Sequence, residues 1–235
     1  MKTFIIIPTY NEKENIENLI RKIFSLKIFD LDILIVDDNS PDGTAMVVEN
    51  LKAEFPSLHL IKRAGKLGLG SAYKTGFNYA LSHEADYLFE MDADFSHQPK
   101  YLPTILAELK NNDLVIGSRY VVGGEMISPW WRKFLSRLAN FYIQLVLNLS
   151  VRDATAGFRG YRAEVFQKIN IRQIMSEGYS FQVELVYLVK KAGFKIKEIP
   201  IIFPDRKYGI SKIAFWEIFK ALTTVLRLRF NPHAN

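Results

Sequence analysis

The sequence predicts an α/β protein built on a mainly parallel sheet flanked by helices. Short apolar, β-branched runs alternate with stretches of helical period, the pattern of crossover units on a parallel sheet. Polar clusters stand at the end of one predicted strand after another. No Pro/Gly/Ser linker, repeat or low-complexity tract divides the 235 residues, of which 49% are hydrophobic, so one core-bearing domain with a C-terminal extension is expected.

Taken in order, Thr3 to Ile7 is a β-branched and aromatic run closed by Pro8, a buried first strand. Asn11 with Glu14 three residues on has the form of a capping box, and Ile16, Leu19, Ile20 and Ile23 follow at helical spacing. Leu31 to Val36 reads as a second strand, ending in Asp37-Asp38-Asn39-Ser40-Pro41-Asp42-Gly43-Thr44. A helix, a strand over Leu58 to Ile61 and a helix over about Gly70 to Leu81 lead to the run Tyr87, Leu88, Phe89 and Met91. A helix over Tyr101 to Leu109 and a strand over Asp113 to Gly117 follow.

The Tyr87 run ends in Asp92-Ala93-Asp94, after which Ser96, His97 and Pro99 break the strand pattern. Two carboxylates this close repel unless a cation neutralises them. Hard oxygen ligands suit Mg²⁺ or Mn²⁺, which keep positions for substrate phosphates. Alone, Asp-x-Asp is equally a solvated turn with a helix cap. Ligands of parallel sheets gather at the carboxyl ends of the strands, however, and Pro8 to Glu12, Asp37 to Thr44, Asp92 to His97 and Ser118-Arg119-Tyr120 all fall there. Turn chemistry explains each cluster singly but not their convergence, so a binding site is expected. With no GxGxxG after the first strand and no P-loop, a dinucleotide dehydrogenase or a Walker-type nucleotidase is disfavoured.

The bulk properties narrow the class. The formal charge of +6 points to anionic partners. With no cysteines there is no disulfide, thiolate metal site or cysteine nucleophile, which fits a reducing compartment. MKTFIII is too short for a signal peptide, and the longest uncharged segment, Leu138 to Val151, falls short of the roughly 20 residues that span a bilayer. No membrane crossing is expected.

PTYNEKEN (Pro8 to Asn15), VDDNSPDGT (Val36 to Thr44), KLGLGSAY (Lys66 to Tyr73), DADFSHQP and GSRYVVGG (Gly117 to Gly124) together resemble glycosyltransferase family 2, and more narrowly the dolichol- or polyprenol-phosphate mannosyltransferases. The likeness continues through WWRKFLSRLAN (Trp130 to Asn140), DATAGFRGY (Asp153 to Tyr161), GYSFQVE (Gly178 to Glu184) and DRKYGISK (Asp205 to Lys212), covering nearly the whole chain in order.

This resemblance implies a GT-A fold, a Rossmann-like, mainly parallel sheet flanked by helices, over residues 1–205. Residues 206–235 would form a donor-closing loop and a C-terminal amphipathic helix of the same domain. It implies an inverting transfer of mannose from GDP-mannose to a dolichyl or undecaprenyl phosphate. Pro8, Tyr10 and Glu12 would line the nucleotide pocket, with Val36 and Asp38 at the base. Asp92 and Asp94 would hold the metal on the diphosphate beside Ala93, with Ser96 as a further metal-side ligand where some relatives carry Gln. Arg206 and Lys212 would close over the donor diphosphate, while Arg119, Arg132 and Ser136 would grip the acceptor phosphate. Relatives that activate sugar hydroxyls use a Glu-Asp pair near Gly178 to Glu184, which reads GYSFQVE here. A phosphate dianion needs no such base.

Trp131, Leu135, Leu138, Tyr142, Leu145 and Leu149 follow helical spacing, with Arg132, Lys133 and Arg137 at one end. That pattern suits either an interfacial helix on an anionic membrane surface or a core-packed one. A helix over about Ser211 to Arg229, with Phe215, Trp216, Phe219 and Leu222 before Arg227 and Arg229, suits a membrane or a membrane-anchored partner subunit. The expected location is peripheral, on the cytoplasmic face of a membrane. Rival readings are a same-fold transferase using UDP-glucose, a basic nucleic-acid or membrane-binding module, and a silent scaffold subunit. The acids at the strand ends disfavour nucleic acid, and the intact Asp92, Asp94 and Arg119 disfavour the scaffold.

Overall fold

In a computed structural model, residues 1–204 and 215–230 are described. Arg206, Lys212 and the predicted donor-closing loop lie outside these residues. The first half alternates as expected: β1 (Thr3–Thr9), α1 (Lys13–Phe24), β2 (Leu31–Asp37), α2 (Thr44–Leu51), β3 (Leu58–Lys62), α3 (Leu69–Ser82), β4 (Tyr87–Glu90), α4 (Leu102–Glu108) and β5 (Leu114–Ser118). The second half adds β6 (Glu125–Met126), α5 (Trp130–Leu147), β7 (Arg159–Arg162), α6 (Glu164–Lys168), α7 (Tyr179–Lys191), β8 (Ile196–Pro200), β9 (Ile202–Phe203) and α8 (Phe215–Phe230).

The main sheet has the order β3-β2-β1-β4-β7-β5-β8, while β6 and β9 pair separately. All of its neighbours run parallel except β7, which lies antiparallel between β4 and β5. Helices cover both faces. Phe4, Ile6, Leu34 and Val36 pack with α3, α5, α7 and α8, and Ile5, Ile7, Ile33 and Ile35 pack with α1, α2 and α4. Successive residues of β1 and β2 thus feed opposite cores, which is why both strands are near-continuous apolar runs.

Two local expectations change. β1 continues through Pro8 to Thr9 instead of ending at Ile7. The Asp38 N–H bonds Thr9 O and the Met91 N–H bonds Ile6 O, so residue 8 addresses the β4 side, where pairing has stopped at Ile6–Glu90. A proline without an N–H is tolerated at such a position. The Asn11–Glu14 capping box does not form either. Asn11 takes a left-handed φ of 61°, and α1 begins after Glu12 with no side-chain cap.

Gly76, inside α3, is where this helix approaches β1 most closely. A Cβ there would lie 2.4 Å from Ile6 Cγ2, so the position forgoes alanine's helix preference for close packing. Gly76→Ala is expected to destabilise the fold by about 1–3 kcal/mol through overpacking. Gly65→Ala, with nothing within 4 Å of the added carbon, should leave stability nearly unchanged. Urea midpoints at constant m-value check both.

Candidate active site

The sheet reverses its strand order beside β1, which has β2 on one side and β4 on the other. A crevice outside the carboxyl ends of the strands is expected at such a switch point. The chain fills its rim with carboxylates, most of them braced and one left open.

On the β1–β2 side, three successive backbone N–H groups of Asn11, Glu12 and Lys13 donate to Ser40 Oγ, Thr44 Oγ1 and Asp42 Oδ2, each at 3.0 Å. The loop after β2 thereby replaces the missing capping box. Asp37 accepts the Thr9 hydroxyl at 2.8 Å and the Ser40 hydroxyl at 2.6 Å. Asp38 is buried and ion-paired with Arg63, and its Oδ2 accepts the Leu67 N–H at 3.2 Å. Arg63 also donates to Ser71 Oγ at 2.8 Å and Gly68 O at 3.0 Å. Asp38, expected to face a nucleotide base, thus also staples the Leu67–Gly68 loop. Tyr10 stands exposed at the rim with the Lys66 ammonium 4.3 Å from its ring centre. Val36 is buried in β2, and Pro8 and Glu12 are half-buried.

Asp92 and Asp94 follow β4 on one short loop. Asp94 is buried, its Oδ1 accepting the Ser96 N–H at 3.0 Å and the Ser96 hydroxyl at 2.5 Å. Ser96 therefore braces Asp94 in this structure. Ala93 is buried between the acids, and the Asp92 side chain stays 30% exposed. Among the described residues no third His, Cys, Asp or Glu joins them as a metal-holding group. One open and one braced carboxylate fit a hard divalent cation that takes its other ligands from phosphates and water.

Arg119, just past β5, forks onto the fully buried Asp153, with Nε 2.8 Å from Oδ2 and Nη2 2.6 Å from Oδ1. Its Nη2 also donates to Thr155 Oγ1 at 2.9 Å. The Asn140 amide donates to Thr155 Oγ1 at 3.1 Å and to Ser136 O at 3.0 Å, which ties this pair to α5. Arg119, Ser136 and the 153–155 loop are thus one hydrogen-bonded unit, with Arg132 a turn from Ser136 against the Trp131 ring. Burial raises the Tyr120 hydroxyl pKa, the Arg119 cation and a Ser136 hydrogen bond opposing it.

A buried polar layer lies behind the loop. Glu90 pairs in register with Arg159 across β4 and β7, and burial pushes its carboxyl up to about 7 despite that cation. Arg159 donates to Gln182 O at 2.9 Å and Ala154 O at 2.8 Å. Arg63, Asp153, Asn140 and Arg159 were not singled out from the sequence. Asp153 and Arg159 lie within DATAGFRGY, but neither residue's pairing has a spacing signature.

α5 divides its predicted apolar stripe between core and solvent. Its buried face carries Asn140, Ile143 and Leu147, while Leu149 beyond it is also buried and Tyr142 is half-buried. Trp131, Leu135, Leu138 and Leu145 are exposed, and Trp130 (79%), Phe134 (61%) and Phe141 (62%) widen the same apolar surface. Arg227 of α8 turns inward to Glu184 Oε2 and Ser176 Oγ, both at 3.0 Å.

A family model described as glycosyl transferase family 2 matches residues 4–170. The chain is 42% identical over 228 residues to an undecaprenyl-phosphate mannosyltransferase of Micrococcus luteus, covering 97% of this chain and 93% of that one. It is 41% identical over 227 residues to a polyprenol monophosphomannose synthase of Mycolicibacterium smegmatis, covering 95% and 85%. Among solved structures it is similar to glucosyl-3-phosphoglycerate synthase from Mycobacterium tuberculosis with Mn²⁺, UDP and glucosyl-3-phosphoglycerate, at TM-score 0.70 and 16% identity over 97% of this chain and 79% of that one. It is also similar to a mannosyltransferase from Pyrobaculum calidifontis with GDP-Man and Mn²⁺, at TM-score 0.59 and 16% identity over 89% and 58%.

Asp153→Asn is expected to cost about 3 kcal/mol of stability, because it breaks a buried fork and strands the Arg119 cation. Chemical denaturation with and without the substitution measures the loss.

Proposed function

We propose, from the premise that the chain belongs to glycosyltransferase family 2 and has the GT-A fold, that it transfers mannose from GDP-mannose to the phosphate of a polyprenol. The carrying observation is the open Asp92 beside the Ser96-braced Asp94 at the switch point. The names of its near-full-length relatives support the donor and acceptor classes.

Asp92 and Asp94 would hold a divalent cation, Mg²⁺ or Mn²⁺, with Ser96 orienting Asp94. When bound, this cation neutralises charge on the departing GDP. Tyr10, Pro8, Glu12, Val36 and Asp38 form the nucleotide wall, with Tyr10 offering a stacking face. Arg206 and Lys212, outside the described residues, are assigned as cations for the diphosphate, and Arg119, Arg132 and Ser136 as the groups that receive the acceptor phosphate. An acceptor oxygen attacks the anomeric carbon as the bond to GDP breaks on the opposite face, giving inversion.

The acceptor oxygen carries its own charge, so no protein base is required. In agreement, Glu184, the acid of the GYSFQVE segment, is buried and accepts the Ser176 N–H and Arg227. The exposed apolar surface of α5, with Arg132, Lys133 and Arg137 near its start, rests on the anionic surface that holds the lipid acceptor. Among the described residues no helix is long and apolar enough to cross a membrane. Contact with the bilayer is assigned to α5, with α8 or a membrane-anchored partner subunit as further routes.

Label from GDP-mannose should enter an organic-extractable product with Mg²⁺ or Mn²⁺ and a polyprenyl phosphate, and a chelator should abolish it. Asp92→Ala and Asp94→Ala should each lower transfer at least ~100-fold, as expected for loss of charge stabilisation at the leaving group. Transfer that survives both substitutions sinks the metal assignment, and label from UDP-glucose alone replaces the donor. In flotation, wild-type protein should rise with anionic liposomes, whereas Trp130→Ser/Phe134→Ser should stay at the bottom. Equal flotation of both removes α5 from the membrane role.

A further inference from the structure

His97 carries a ring that the proposed chemistry has not used. It is 2% exposed, so the fold has buried an imidazole on the loop that carries Asp92 and Asp94. Its ring stacks on Phe158 with centroids 5.0 Å apart at 11°, and Phe203 meets it edge-on at 5.7 Å. The ring edge lies against the bare backbone of Gly157, where a Cβ would stand 3.4 Å from Cε1. Three contacts thus fix the ring plane.

The two nitrogens then have distinct duties. The Asp92 backbone N–H donates to Nδ1 at 2.8 Å. An amide N–H can only donate, so Nδ1 is the acceptor and a ring hydrogen sits on Nε2. That nitrogen lies 3.8 Å from Asp92 Oδ2. One imidazole therefore grips the Asp92 backbone from one side and places a donor beside its carboxylate on the other. Adjacent residues divide the work: Ser96 braces Asp94 and His97 braces Asp92.

We propose that His97 is a positioning residue that holds the backbone of Asp92, keeps a ring N–H near its carboxylate and so sets the affinity of the site for its divalent cation. The inference rests on Asp92 being a metal-holding carboxylate. A purely space-filling ring would need the stack on Phe158 but neither nitrogen contact. Groups that orient metal ligands typically change metal affinity about 10- to 100-fold when removed.

The test is calorimetric titration of Mn²⁺ into the full chain saturated with GDP. His97→Asn keeps an acceptor near the Nδ1 position and loses the Nε2 donor, while His97→Gln reverses the trade. Each should weaken Mn²⁺ about 10- to 100-fold, with the metal-free melting temperature of His97→Asn close to wild type. His97→Asn added to Asp92→Asn should change nothing further. Mn²⁺ affinities of both His97 variants within about twofold of wild type, with Asp92→Asn still weakened, would overturn the proposal and leave a core ring. An Asp92→Asn protein that binds Mn²⁺ normally overturns the metal reading itself. Wild-type protein supplies an arm free of folding effects. On Mg²⁺ addition with GDP the His97 ring ¹⁵N resonances should shift, and resonances that stay fixed at saturation count against the proposal.

Discussion

A carboxylate brought to the edge of a folded sheet must be paired, hydrogen-bonded or left in water, and the crevice obeys this constraint acid by acid. Asp37 takes hydroxyls from Thr9 and Ser40, Asp38 takes Arg63, Asp94 takes Ser96 and Asp153 takes the fork of Arg119. Burial without such partners would cost several kcal/mol per charge. The braces also decide the shapes of the loops: Ser40 and Ser96 fold their own loops back on Asp37 and Asp94, while Thr9, Arg63 and Arg119 reach in from other segments. Asp92 differs in keeping its side chain 30% exposed. An edge full of satisfied acids with one held open is built to receive positive charge at one place.

Much of this was legible in the sequence because its signals are local. The first five parallel strands are apolar runs with polar ends, and the acids at those ends announce themselves by position alone. β7 escaped because RGYR looks polar, and nothing in four residues says that Arg159 is buried against Glu90. Partners such as Arg63 for Asp38 or Asn140 for Thr155 depend on distances between segments far apart in the chain. Pro8 misled for the opposite reason: a local stop signal was overridden because the ladder on its side had already ended. The stripe on α5 was visible, but which of its positions meet solvent depended on where the sheet lay.

Phe203 shows how the second half of the chain reaches back to the first. It belongs to the short β6–β9 ribbon, yet its ring meets His97 edge-on and lies 5.3 Å from the Arg119 guanidinium carbon. Ile202 is tethered beside it, its carbonyl accepting from Gln98 and its N–H donating to the Tyr101 hydroxyl. One small ribbon thus touches the loop after β4 and the arginine after β5. The two halves of the crevice share an aromatic wall.

The antiparallel insertion of β7 also sets the order in which the protein can be made. Strands β1 to β4 are contiguous in the sheet, in the order β3-β2-β1-β4, and can assemble once about the first 90 residues are available. The outer edge of β4 then waits for residues 159–162, and β5 gains its other neighbour only from 196–200. Contacts of such long sequence separation are slow to form. A nascent chain therefore exposes the naked edge of β4 through the synthesis of roughly seventy further residues, an interval in which strand-pairing errors are favoured. The strand that ends at the two acids thus keeps one side unguarded until residues 159–162 have been made.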